Sequence, residues 1–81
     1  MIREHAIEKV QEIFRDIFDD QNLVINDMMT ANDVQYWDSL NHVNLLSSIE
    51  KEFKIKFGLG ELAELTNVGV MLDIIMRKLI R

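Results

Sequence analysis

In three stretches of this chain, apolar residues recur at steps of three and four, the period that gathers them on one face of an α-helix. The first holds Ile2, Ala6, Val10, Ile13 or Phe14, and Ile17, with Arg3, Glu4, Glu8, Lys9, Glu12 and Arg15 between them. The second reads Leu40, Val43, Leu46, Ile49 and Phe53, and the third Val68, Met71, Leu72, Ile75 and Leu79. Between the last two, Gly58 and Gly60 interrupt the pattern. They leave Ile55 and Phe57 as an apolar pair in the connection and residues 61–65 as a short extra helix. The expectation is an all-α fold: a small four-helix bundle with three longer helices and one short, in which residues 1–81 form a single domain. A chain of this length buries only somewhat more than roughly 60% of its unfolded surface, so the core has to be compact.

Proline is absent, so glycine, asparagine and aspartate do the punctuating. Asp19, Asp20, Gln21 and Asn22 end the first helix, because acids sit badly at a helix C-terminus and Asn accepts the left-handed conformation. Residues 23–37 form a long connection, ordered by the apolar anchors Val24, Ile25, Met28, Met29 and Val34. Thr66 is placed to cap the last helix, and Arg77, Lys78 and Arg81 complement its C-terminal dipole.

Composition closes several doors. With no cysteine there is no disulfide framework, Cys-based metal site or thiol nucleophile, which fits a reducing cytoplasm. No apolar run approaches the ~20 residues of a membrane span, and a first helix carrying Glu4 and Glu8 is unlike a signal peptide. A soluble cytoplasmic monomer is expected. Fourteen acidic against nine basic residues give a formal charge of −5. That balance argues against nucleic acid or an anionic membrane and for partners with basic patches. His5 and His42 fall on different helices, and Asp16, Asp19, Asp20 and Asp27 lack the spacing of a calcium loop, so no metal site is expected. The methionines Met28, Met29, Met71 and Met76 read as core filler.

One short motif carries chemistry. Asp38-Ser39-Leu40 opens the second apolar stretch, with Asp38 as the N-cap and Ser39 as the first helical residue. By itself this says only that a helix begins. The first N–H groups of a helix, however, have no partner inside it, and with the helix dipole they suit a phosphate on that serine. His42 one turn later invites a nucleophile-and-base reading. Such a hydrolase needs an orienting acid, an oxyanion hole and a walled pocket, and the chain is too short to build one, so no enzyme is expected.

The run Asp33-Val34-Gln35-Tyr36-Trp37-Asp38-Ser39-Leu40-Asn41-His42-Val43-Asn44-Leu45-Leu46, followed by Ile49-Glu50-Lys51-Glu52-Phe53 and Thr66-Asn67-Val68-Gly69, resembles the acyl carrier proteins over nearly the whole chain. The Trp-Asp-Ser-Leu-x-His-Val form looks like the carriers of specialised, polyketide-like or nonribosomal-like pathways. The resemblance implies a 4′-phosphopantetheine arm on Ser39, donated from coenzyme A by a phosphopantetheinyl transferase with magnesium. The arm's thiol would hold acyl intermediates as thioesters for acyl-loading, ketosynthase or acyltransferase-type enzymes. The protein would act as a free-standing carrier in lipid, fatty-acid or polyketide-like biosynthesis. Asp38, Leu40, His42, Val43 and Glu50 are the implied partner-recognition residues, and Val43, Leu46, Ile49, Phe57, Leu62, Leu65 and Met71 the implied lining for an acyl chain. Housekeeping fatty-acid carriers usually place acids where this chain has Asn41, Asn44 and Lys51, which puts efficient service to the ordinary fatty-acid enzymes in doubt. A peptidyl or aminoacyl carrier is the alternative within the class, and an unmodified helical interaction module the alternative outside it.

Overall fold

The computed structural model describes residues 2–79. It has four helices: α1 (Arg3–Ile17), α2 (Ser39–Phe53), α3 (Leu59–Glu64) and α4 (Val68–Leu79), with no strand among the described residues. The expected all-α bundle is therefore what forms. Arg81, expected near the last helix's dipole, lies outside the described residues.

Helix α1 packs against α2 and α4. Its contribution is Ala6, Val10 and Phe14, spaced by four, with Phe18 directly beyond its end. Phe14 settles the Ile13-or-Phe14 choice: it is fully buried, whereas Ile13 and Ile17 are half-buried flanks. Ile2 precedes the helix and is exposed. Helix α4 buries Val68, Met71, Leu72 and Ile75 as expected and adds Ile74, while Leu79 is half-buried.

Helix α2 corrects the expected stripe. Its buried residues are Leu45, Ile49 and Phe53, with Leu46 half-buried, while Leu40 is 71% and Val43 59% exposed. At about 100° per residue, steps of three lag behind the helix by about 60° each. A stripe counted back from Ile49 by threes has thus drifted half a turn by Leu40. The buried face follows the step of four through Leu45.

The chain between α1 and α2 is held at many points. Asp19, not Asn22, takes the left-handed conformation after α1, at φ 50°. Arg15 Nε donates to the Leu23 carbonyl at 2.8 Å, and Gln11 Oε1 accepts from Ile25 N–H at 3.0 Å. Ile25 and Val34 are buried and Met29 half-buried, but Val24 and Met28 point outward, Met28 with 79% of its surface exposed. Of the methionines read as filler, then, Met28 fills nothing. The segment closes onto the start of α4: Val68 N–H donates to the Met29 carbonyl and Gly69 N–H to that of Asp27, both at 2.9 Å. Gly69 suits this close approach, since a Cβ there would stand 3.0 Å from the Asp27 carbonyl oxygen, tighter than an ordinary contact. Arg3 ties the same segment to α1, its guanidinium 3.1 Å from Asp27 and 3.5 Å from Asp73.

Two helix starts differ from expectation. Asn67 rather than Thr66 caps α4, its Oδ1 accepting from Val70 N–H at 2.8 Å. Helix α3 begins at Leu59, with Gly58 as an extended N-cap and Gly60 inside the helix. Glu61 reaches back to accept from Gly58 N–H at 2.7 Å, which satisfies a donor the helix leaves open.

Candidate functional site

Asp38 and Ser39 stand where the motif places them. Asp38 is the N-cap of α2, in extended conformation, with Oδ1 accepting from Asn41 N–H at 2.9 Å and its carbonyl accepting from His42 N–H at 2.8 Å. Ser39 follows as the first helical residue and is exposed. No side chain among the described residues takes a hydrogen bond from its hydroxyl. A group attached to that oxygen would project into solvent beside the positive end of a fifteen-residue helix.

The approach to this serine is built by residues whose roles could not be read from spacing. Tyr36 is left-handed at φ 70°, a conformation that costs an L-residue roughly 1–2 kcal/mol. Two hydrogen bonds to its carbonyl hold it there, from Asp38 N–H at 2.9 Å and from Asn41 Nδ2 at 2.8 Å. Trp37, next in sequence, is half-buried and edge-on to Phe14, with ring centroids 5.2 Å apart, and also lies against Phe18 at 6.1 Å. Edge-to-face pairs of this kind contribute roughly 0.5–1.5 kcal/mol beyond burial, so the tryptophan pins the start of α2 to α1.

The same indole donates Nε1–H to His42 Nδ1 at 3.0 Å, and the two rings stack with 24° between their planes. His42 is therefore half-buried and engaged with the indole. This hydrogen bond also bears on catalysis. A neutral imidazole has one lone pair, and here the indole occupies it, which leaves Nε2 carrying the proton. The ring thus has nothing with which to deprotonate Ser39. Ala31, Trp37, Asp38, Ser39, His42 and Val43 together line a surface cleft of about 480 Å³.

The other implied site residues separate into groups. Leu40 and Val43 are exposed around the serine, so Val43 lines the outer cleft rather than any interior space. Ile49 and Met71 lie in the closed core, Leu46, Phe57 and Leu65 pack against its edge, and Leu62 is partly exposed. Glu50, far along α2 from the serine, is half-buried and accepts from Phe57 N–H at 2.8 Å, so its carboxylate staples the α2–α3 connection. No cluster of three His, Asp or Glu side chains suited to a metal occurs among the described residues.

No protein-family model matches the chain, and no curated protein does. A solved structure does match: the solution structure of a holo acyl carrier protein from Geobacter metallireducens is 46% identical in sequence, over 90% of this chain and 84% of that one, with a TM-score of 0.85. Identity at that level, over most of both chains and in the same arrangement of helices, is carried by the sequence as well as the backbone. This chain belongs to the acyl carrier protein family.

Proposed function

We propose that Ser39 carries a 4′-phosphopantetheine arm and that the protein holds acyl intermediates as thioesters on it, for enzymes of a specialised lipid or polyketide-like pathway. The observation that supports this best is the placement of one exposed hydroxyl at the first turn of α2, capped by Asp38, within a cleft that Trp37 and His42 frame. The comparison protein is a holo carrier, so a covalent arm of this kind is part of what the likeness brings.

The division of labour follows from the site. No neighbour activates Ser39, so attachment needs a separate transferase, which would take the phosphopantetheinyl group from coenzyme A with magnesium. The phosphate would then sit by the unpaired N–H groups of the helix start. Exposed Leu40, Val43 and Tyr36 offer the transferase and later enzymes an apolar rim around the attachment point. The half-buried edge formed by Leu46, Phe57 and Leu65 is where an acyl chain would first displace side-chain contacts, ahead of the core residues Ile49 and Met71. The neutral asparagines on α2 favour a specialised pathway over housekeeping fatty-acid synthesis.

Incubation with coenzyme A, magnesium and a broad-specificity transferase should add one phosphopantetheinyl group, read by intact-protein mass. Ser39→Ala should take none while its helical circular dichroism stays unchanged. Modification that persists in Ser39→Ala would move the site elsewhere, and a wild-type protein left bare by a competent transferase would favour the unmodified interaction module.

A further inference from the structure

A groove of about 860 Å³ lies away from Ser39, between the last turns of α2, the connection into α3 and the end of α4. Lys51, Lys54, Lys56, Arg77 and Lys78 line it, and Glu50 is the acid among them. Five of the nine basic residues of a chain with formal charge −5 are thus gathered on one concavity. Lys78 and Arg77 already have partners, Glu61 at 2.8 Å and Glu64 at 3.8 Å. Glu50 is committed to Phe57 N–H. Lys51, Lys54 and Lys56 have no acid paired with them among the described residues.

Lys54 adds a second observation. It ends α2 in the left-handed conformation, φ 58° and ψ 47°, where glycine is the favoured residue. The chain has three glycines and uses none of them at positive φ. A lysine therefore occupies a position that backbone preference assigns to glycine, at the mouth of a groove already rich in cations. Glycine would sit there without strain, and the lysine instead sets a further ammonium group beside the groove.

We propose that this groove docks an acidic segment of a partner protein. Charge complementarity selects that occupant: three unpaired ammonium groups and a guanidinium attract carboxylates. A long, uniform polyanion such as nucleic acid would meet the acidic remainder of the surface and be repelled. The groove would receive a short acidic stretch presented by an enzyme that also reaches Ser39 at the other end of the same helix.

The test titrates ¹⁵N-labelled protein, unmodified at Ser39, with hexaglutamate at low salt, with inorganic phosphate and hexalysine as separate arms. Because no arm on Ser39 is needed, its outcome is independent of loading. Hexaglutamate should give saturable amide shifts confined to Lys51, Lys54, Ile55, Lys56 and Arg77, and the triple change Lys51→Gln, Lys54→Gln and Lys56→Gln should weaken it roughly tenfold or more. Lys54→Gly is the sharper variant: it should raise the denaturation midpoint by relieving the backbone, yet lower peptide affinity. Scattered shifts, equal affinity in the triple variant, or phosphate alone saturating the same amides would overturn the proposal. So would peptide-independent shifts that grow with protein concentration, which would seat a second copy of this chain in the groove.

Discussion

The two ends of α2 are built on opposite plans. At the N-terminal end, almost every polar group is occupied in holding shape: Asp38 caps the helix, Asn41 steadies the strained Tyr36, and the Trp37 indole locks the His42 ring. The large hydrophobic side chains it leaves exposed around Ser39 are Leu40, Val43 and Tyr36. At the C-terminal end, the backbone strain at Lys54 is accepted and three lysines stay unpaired over a groove. Rigid placement of one hydroxyl and loose presentation of charge are different tasks, and a helix of fifteen residues spans roughly 22 Å, enough to keep them apart. Position along α2, more than net charge, therefore separates positioning residues from those free to meet a partner.

That comparison depends on which face of α2 is buried, and the largest effects test it. Leu45→Ala and Ile49→Ala should each destabilise by roughly 2–5 kcal/mol, because both side chains are fully buried in the core. Leu40→Ala and Val43→Ala should each cost less than about 0.5 kcal/mol, since neither packs against the core. Denaturant unfolding that ranked Leu40 or Val43 above Leu45 would rotate the helix and dissolve the contrast between its ends.

The next effect is smaller and sets the two ends directly against each other. Asn41→Asp keeps the side chain's shape and adds a negative charge near a helix N-terminus, a gain of about 0.3–1 kcal/mol. A carboxylate cannot donate, however, so the exposed bond to the Tyr36 carbonyl is lost and two acceptors face each other, at about 0.5–1.5 kcal/mol. The loss should win, by up to about 1 kcal/mol. Lys51→Glu, at the looser end, should shift stability by no more than about 0.5 kcal/mol. Equal costs in thermal unfolding would mean that Asn41 is as free as Lys51, and that the missing acid there reflects partner choice alone.

Asn41 also shows what the sequence conceals. Its place in the linear motif marks it as a depleted acidic position, and only the fold reveals the amide at work on a carbonyl five residues back. Helix existence, the Asp38 cap and Ser39 as the first helical residue were legible because each depends on local chemistry. The phase of α2 was not, since Leu40 and Val43 continue a plausible three-residue count that the true helical period carries away from the core. Glu50 looked like a partner contact because its hydrogen bond is to Phe57, seven residues away, across a turn that no periodicity describes. Trp37 and His42 lay five residues apart in plain view, but their bond needs the turn at Tyr36, and a left-handed tyrosine carries no sequence signal.

The smallest effect concerns how far the C-terminal groove is neutralised from within. Glu61 holds Lys78 at 2.8 Å and accepts from Gly58 N–H, and the backbone bond first, the lysine second, lower its carboxyl below the usual range. A carboxyl whose folded-state pKa is depressed adds stability that is present above its unfolded pKa and is lost as pH falls through the folded value. Wild type should accordingly exceed Glu61→Gln in stability at neutral pH, and the gap should close under acid conditions below the ordinary glutamate range. The group is solvent-exposed, so the gap should be slight and should shrink further with salt. Paired melts across that pH range provide the check. A gap that widened toward acid would reverse the sign of the interaction, and with it the view that Lys78 is held by Glu61 while Lys51, Lys54 and Lys56 remain available to a partner.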